Sequence, residues 1–204
     1  NAVLVLAGDI DVATAREKAE KYFGDIPAGP PLVRHQSWVA KRQENRRRIA
    51  HDRVPQSRLY QVWNTSELGT TDATRLELLA QILGGDKNSR LYKRVVHKDQ
   101  LATSVSAYYF GRELAGWFVI QADARPGVSL DTVEKAINQE VALLVDRGPT
   151  REELDRARTT LRADFLRSLE QVGGFHGVAG VLASGEVYES DPGAYRQWLK
   201  DLDA

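Results

Sequence analysis

The stretch from Gly84 to Tyr109, GGDKNSRLYKRVVHKDQLATSVSAYY, constrains the fold of this chain more than any other part of it. Two glycines end a helical pattern, and a short basic helix is expected over residues 88–97. An alternating pattern then predicts a strand over residues 102–110. A helical period followed at once by a strand period means that the chain combines helices with strands.

Four further segments predict strands. The apolar run AVLVLA at residues 2–7 indicates a strand buried on both faces, and residues 46–54 and 58–65 are two more candidates. In residues 58–65, Leu59, Gln61 and Trp63 alternate with Arg58, Tyr60 and Val62. A strand at residues 115–123 is expected to form a hairpin with the strand at 102–110.

Helical patterns occupy most of the remainder. One begins after Asp9 or Asp11, either of which can cap it, and runs to Phe23. Others are expected from Thr71, from Ser129 or Asp131 to about residue 145, near 175–185 and near 192–202. Thr150 followed by Glu153 is the capping-box pattern, which predicts that another helix begins there.

The order of these elements predicts an α+β fold. Strands that follow each other favour antiparallel ladders, so we expect one mixed, largely antiparallel sheet of about five strands with helices on one face. Residues 1–204 are interpreted as a single domain, with residues 175–204 as a candidate helical extension.

Composition excludes several classes of function. Lys plus Arg and Asp plus Glu number 28 each, which removes the electrostatic argument for nucleic acid or an anionic membrane as partner. No apolar run approaches the roughly 18 residues that span a bilayer. Cysteine is absent, which excludes thiolate chemistry. Methionine is absent even at position 1, so we expect the chain to be part of a longer protein.

Motifs for metal or nucleophilic chemistry are weak. No two of the four histidines have the spacing of a helical zinc site, so each is interpreted as a surface or hydrogen-bonded residue, while a metal site formed at long range stays an alternative. These histidines are His35, His51, His97 and His176. There is no G-x-S-x-G, and the loop Gly84–Ser89 follows a helix and lacks phosphate-loop spacing. The basic run Arg46–Arg48 is interpreted as solvated.

Several motifs in order resemble one family. The opening NAVLVLAGDIDVATAREKAEKYFGDIPAGP is similar to the start of the second domain of pitrilysin/insulinase-like zinc peptidases, which include mitochondrial processing peptidase and its bacterial relatives. The resemblance continues through LLAQILGGDKNSRLYKRVV, LATSVSAYY, ADARPGVSLDTVEKAI and GPTREELDRAR. It covers nearly the whole chain and implies a two-layer metallopeptidase-like domain.

The resemblance also implies where zinc belongs. In this family, homologous α+β domains form two halves around a closed chamber, and an H-x-x-E-H motif with a later glutamate holds zinc and activates water. The present sequence contains no H-x-x-E-H. We therefore expect no metal or other cofactor in this chain, and zinc in the parent protein, bound by a domain upstream of Asn1.

The same alignment addresses the catalytic residues of the family. The half opposite the zinc supplies an arginine and a tyrosine that bind substrate and help stabilise the oxyanion. Aligning LATSV with the family's L-A-Y-S-V places Thr103 at the tyrosine and Val96 at the arginine, so no catalytic residue is expected. Four other side chains of the segment are candidates for lining the chamber: Arg90, Tyr92, His97 and Tyr108.

The resemblance thus favours a non-catalytic, chamber-forming domain of a bacterial zinc metalloendopeptidase that acts on peptides or unfolded proteins, in its zinc-bearing half. One alternative is an inactive partner subunit or assembly module of a two-subunit peptidase, and a weaker one is a core-type subunit of a respiratory complex. Expected partners are neighbouring peptidase domains, in the same chain or a partner subunit, and the peptide substrate. The bacterial relatives make the periplasm the expected compartment.

Overall fold

The computed structural model describes residues 2–204 and forms two compact units. One unit comprises the residues up to Gln36 together with Arg162–Ala204, and the other comprises Ser37–Leu161. Asn1, with which the opening motif of the resemblance starts, lies outside the described residues. The interpretation of residues 1–204 as a single domain stays a prediction.

The Ser37–Leu161 unit is built on one antiparallel sheet. Its strands are β1 (Arg58–Thr65), β2 (Ala102–Gly111) and β3 (Gly116–Ala124), in the order β1-β3-β2. The hairpin expected between residues 102–110 and 115–123 is formed by β2 and β3, with Ala107 opposite Ile120. The α+β class is confirmed, and the sheet is wholly antiparallel rather than mixed.

The expectation of about five strands is wrong, because this sheet has three. Residues 2–7 and 46–54 are not in strands. Val3, Leu4 and Leu6 are 45%, 53% and 47% exposed, so the apolar run at the start is not buried on both faces. An apolar run reports a preference for burial, whereas a strand also needs a neighbour for its N–H and C=O groups, which the run itself does not specify.

Alternation along the strands gives the sheet two different faces. Leu59, Gln61 and Trp63 pair with Ala122, Ile120 and Phe118 of β3 on the face that the helices cover. On that face Gln61 Nε2 donates to Asn138 Oδ1 at 2.8 Å. The intervening residues of each strand point to the opposite side, which we call the open face. Helices therefore cover one face of the sheet, as expected from the sequence.

Local sequence signals place the helices of this unit. They are α2 (Thr71–Ala80) with its π-helical continuation Gln81–Gly85, the basic helix (Tyr92–Lys98), α3 (Leu130–Arg147) and the first part of α4 (Arg151–Leu169). Ser129 caps α3 by accepting from Thr132 N. The capping box is formed, since Glu153 N donates to Thr150 Oγ1 at 3.2 Å and Thr150 N donates to Glu153 Oε2 at 2.8 Å.

The core of this unit lies between the helices and the covered face of the sheet. Its most deeply buried large side chains, at most 2% exposed, are Leu83, Leu91, Val95, Ile120, Val133 and Ile137. Gly84 lies where α2's continuation meets β2, and a Cβ there would be 2.3 Å from the backbone nitrogen of Ala107. Glycine at this position therefore permits a close approach of helix and strand.

The other unit is helical where it has regular structure. Its complete helices are α1 (Val12–Phe23), α5 (Val178–Ser184) with a π-helical continuation Gly185–Glu189, and α6 (Tyr195–Asp203). Asp11 caps α1 by accepting from Thr14 N at 2.9 Å. Phe165 contacts the rings of Tyr195 and Trp198, with centroids 5.8 and 5.2 Å away. In residues 2–204, no helix combines the length and the apolar character needed to cross a bilayer.

Candidate functional site

Val96 and Thr103 are the two positions that the resemblance aligns with catalytic residues. The Val96 side chain lies in the basic helix and is 9% exposed. It has no hydrogen-bonding group, and its burial leaves it in contact with the core rather than with solvent. Whether Val96 stands in the position of the family's arginine is untested and stays a prediction.

Thr103 interrupts the ladder between β2 and β3. Ala102 pairs with Ala124 and Ser104 with Asp123, so Thr103 is the extra residue of a β-bulge. Its hydroxyl lies 3.1 Å from Gln56 Oε1 and 3.3 Å from the carbonyl oxygen of Asp123. The Thr103 hydroxyl is thus a hydrogen-bond donor to groups next to the bulge.

The four candidate chamber-lining residues are not brought together. Arg90, Tyr92 and His97 belong to the helix layer, whereas Tyr108 lies on the open face of the sheet. The Arg90 guanidinium donates to both carboxylate oxygens of Glu153 at 2.7 Å and to the Gly148 carbonyl at 3.2 Å. Their assignment to a chamber remains a prediction.

Among residues 2–204 there is no group of three or more His, Asp or Glu side chains that could hold a metal ion. All four histidines are exposed, namely His35, His51, His97 and His176.

The open face of the sheet is an exposed apolar surface of the Ser37–Leu161 unit. Five side chains of the three strands are each 39% to 55% exposed there, namely Tyr60, Val62, Tyr108, Phe110 and Trp117. Val119 lies between Val62 and Tyr108 in the ladder and is only 5% exposed because its neighbours flank it. The Phe110 and Trp117 rings stack with centroids 6.2 Å apart.

One end of the open face is polar and fully engaged. Arg58 Nε and Nη2 donate to the Asp123 carboxylate at 2.6 and 3.2 Å, and Ser104 Oγ donates to the same carboxylate at 2.7 Å. The Arg58 hydrogen bond is the main cause that lowers the pKa of Asp123, with a further contribution from Ser104. Asp123 therefore stays ionised and engaged at neutral pH, which does not suit it to act as a general base.

This arrangement equips the open face for contact rather than for reaction. It offers aromatic rings and a methyl-rich centre, which bind apolar and aromatic side chains. Tyr109 lies between Tyr108 and Phe110 in β2, but its side chain is on the covered face and differs from theirs in being hydrogen-bonded within the fold. Burial raises the pKa of Tyr109 to about 12, and its hydroxyl donates to the Ser66 carbonyl at 2.9 Å.

The sequence contained part of the signal for this face. The alternation in RLYQVWNT separates Tyr60 and Val62 from Leu59 and Gln61, but both sets include apolar residues. Which set the helices would cover was therefore not readable from the strand alone. The structure decides it by placing α3 and α2 on the side of Gln61 and Ala107.

The Ser37–Leu161 unit is thus an α+β domain in which helices cover one face of a three-stranded antiparallel sheet. The model of the peptidase M16 inactive domain matches residues 1–161. The chain belongs to this family, which confirms its resemblance to the pitrilysin/insulinase-like zinc peptidases.

Relatives agree with this assignment, and solved structures share the fold. An uncharacterised zinc protease of Rickettsia felis is 27% identical over 172 residues, which cover 84% of this chain and 40% of the relative. In fold, the chain is similar to a protease from Helicobacter pylori (TM-score 0.78, 20% identity, 96% of this chain and 47% of that one). It is also similar to a peptidase M16 inactive domain from Pseudomonas fluorescens (TM-score 0.73, 22% identity, 96% and 45%). The chain thus spans about two fifths of its curated relative.

Proposed function

We propose that this chain is a non-catalytic wall domain of a bacterial zinc metalloendopeptidase that acts on peptides or unfolded proteins. The observation that carries the proposal is the match of residues 1–161 to the peptidase M16 inactive domain. Relatives named zinc proteases support the activity of the parent protein, in which a separate domain would hold the zinc. Neighbouring peptidase domains and the peptide substrate are then its partners.

The open face is the part of the domain that we propose to contact substrate. Unfolded peptides present apolar and aromatic side chains, and the rings of Tyr108, Phe110 and Trp117 can receive them without a fixed sequence preference. A wall of this kind retains and orients a peptide, while chemistry takes place elsewhere. The polar Arg58–Asp123 pair borders this surface and keeps its own charge satisfied.

A binding assay with an open-face variant tests the substrate contact. The triple variant Tyr108→Ser, Phe110→Ser and Trp117→Ser should bind a labelled, unstructured peptide rich in Leu and Phe at least about tenfold more weakly, because aromatic contacts dominate such surfaces. The control is Tyr22→Ser, Val33→Ser and Phe175→Ser, three apolar residues that are 65%, 92% and 96% exposed in the other unit. Equal affinity of the two triple variants would contradict the proposed contact.

The alternative that remains is an inactive partner subunit of a two-subunit peptidase. The two assignments differ in the sequence encoded upstream of Asn1: an intact H-x-x-E-H in the same gene supports a fused enzyme, and a degenerate motif supports a partner subunit. The family match favours both over a respiratory-complex subunit. We also propose a periplasmic location on the resemblance to bacterial relatives, which fractionation of the source cells would test.

A further inference from the structure

A basic groove lies on the helix side of the Ser37–Leu161 unit, between the basic helix and the C-terminal end of α3. Its volume is about 490 Å³. Five cationic side chains line it together with a single carboxylate, that of Glu140; the cations are Arg90, Lys93, Arg94, Lys98 and Arg147. This is a local excess of positive charge in a chain whose net charge is zero.

Two of the five cations are neutralised within the fold. Arg90 is held by the carboxylate of Glu153 at 2.7 Å, and both side chains are 17% exposed. Arg94 Nε lies 2.6 Å from Asp99 Oδ2. These two arginines are paired within the fold and are not available to a ligand as uncompensated charges.

The other three cations point into the groove without such partners. No carboxylate of residues 2–204 forms an ion pair with Lys93 or Lys98. Arg147 reaches only its neighbour Asp146, at 3.9 Å, with both side chains about three quarters exposed. Five cations against the carboxylates of Glu140, Glu153, Asp99 and Asp146 leave one positive charge, and the two lysines without an ion pair are a complement for an anionic partner.

We propose that the basic groove binds an acidic, extended protein segment. Lys93 and Lys98 are five residues apart on the basic helix, whose backbone is π-helical, so they lie about one turn apart, roughly 5–7 Å along its axis. Alternate side chains of an extended chain repeat at about 7 Å, so carboxylates at every second position match the two lysines. Arg147 faces them from α3, and Leu143 and Pro149 in the lining offer apolar contact to the carboxylate stems.

The probe for this groove is a labelled peptide in which glutamate alternates with serine, added to the 204-residue chain at low ionic strength. We expect it to bind, and the same peptide with glutamine in place of glutamate to bind at least about tenfold more weakly. Added salt should weaken the glutamate peptide, because the lysines are exposed and therefore screened.

Charge reversal locates the binding. The double variant Lys93→Glu and Lys98→Glu should weaken the peptide by about tenfold or more, since two attractions become two repulsions. The matched control is Lys41→Glu and Lys135→Glu, which changes the net charge equally at two exposed lysines outside the groove. Unchanged far-ultraviolet circular dichroism and unfolding temperature would show that both double variants are folded.

Three outcomes would overturn the proposal. The first is equal binding of the glutamate and glutamine peptides, and the second is an equal loss of affinity in the groove variant and the control variant. The third is displacement of the peptide by inorganic phosphate at concentrations too low to act by ionic strength, which would reassign the groove to a small anion. None of these outcomes bears on the open face, so the proposed wall function is tested separately.

Discussion

Gly84 illustrates how a single residue fixes the distance between two layers. Its backbone approaches Ser106 and Ala107 of β2 so closely that a methyl group would lie 2.3 Å from a backbone nitrogen and 2.8 Å from a backbone carbon. Backbone atoms of a strand paired in a sheet cannot move aside as a side chain can. The glycine pair was read from the sequence as a helix end, but its packing role depends on a strand more than twenty residues later in the chain.

We therefore expect Gly84→Ala to destabilise the fold by about 2–3 kcal/mol, because the added methyl overpacks the contact with β2. Urea unfolding of the variant and of the parent chain measures this difference. Gly173→Ala is the matched control, since a Cβ there meets nothing within 4 Å. If both substitutions were neutral, the close approach at Gly84 would be wrong.

Val96 also acts at the scale of one side chain. It is 9% exposed, so a longer charged side chain at this point could not occupy the same space. Threonine at position 103 fits a different requirement, because its hydroxyl reaches Gln56 and the Asp123 carbonyl from the bulge. Both residues are explained by the fold of this chain without any reaction.

At the scale of elements, one ion pair joins the region of the basic helix to the start of α4. Glu153 accepts from Arg90 and from the backbone nitrogen of Thr150, so a single carboxylate serves both the pair and the capping box. The Arg90 hydrogen bond is the main cause that lowers the pKa of Glu153 from 4.5 to about 2. A carboxylate whose pKa is lowered by folding stabilises the folded state wherever it is ionised.

The sign of the resulting pH dependence follows from this shift. The contribution of Glu153 is fully present above about pH 4.5 and is lost as the pH falls toward about 2, and it amounts to about 2–3 kcal/mol. Glu153→Gln mimics the protonated acid, so we expect its stability to fall below that of the parent chain at pH 7 and to approach it near pH 2. Denaturant unfolding across this range measures the gap.

Glu152→Gln supplies the control for this experiment. Glu152 is the exposed neighbour of Glu153 in the first turn of α4, and none of the residues 2–204 forms an ion pair with it. Its stability difference should stay below about 0.5 kcal/mol at every pH. A pH-independent gap for Glu153→Gln would show that its effect is steric rather than electrostatic.

Elements were predictable where their signals are local. Asp11, Ser129 and Thr150 cap helices because each signal lies within one turn of the residue it serves. The β2–β3 hairpin followed from two alternating runs with a short connection. Residues 2–7 and 46–54 were wrongly predicted to be strands, because the pairing of one strand with another depends on segments that are distant in the sequence. In the second of these segments, Arg47 forms ion pairs with Asp131 and Glu134 of α3.

At the scale of the whole molecule, the chain belongs to the peptidase M16 inactive domain family. It spans about two fifths of the length of the curated relatives that it matches. Family membership could be recognised from the ordered motifs, because these motifs are distributed along the chain. The open face and the basic groove could not, since each combines side chains from elements that are far apart in sequence.

The proposed function as a non-catalytic domain predicts that the chain alone has no peptidase activity. We expect titration with zinc to show no saturable binding at micromolar concentrations, because residues 2–204 lack a group of metal-binding side chains. Incubation with an unfolded peptide and zinc should give no cleavage above the buffer background. Metal-dependent turnover that a chelator abolishes would contradict the assignment as a non-catalytic domain.

The strand order β1-β3-β2 has a consequence for handling this chain. Within residues 2–204, β1 and β2 each pair on one side only, so the outward N–H and C=O groups of both strands are unmatched by another strand. Such borders are templates for association between copies, and here they flank an exposed aromatic surface. Preparations of the isolated chain should thus be checked for concentration-dependent β-association before any binding curve is interpreted.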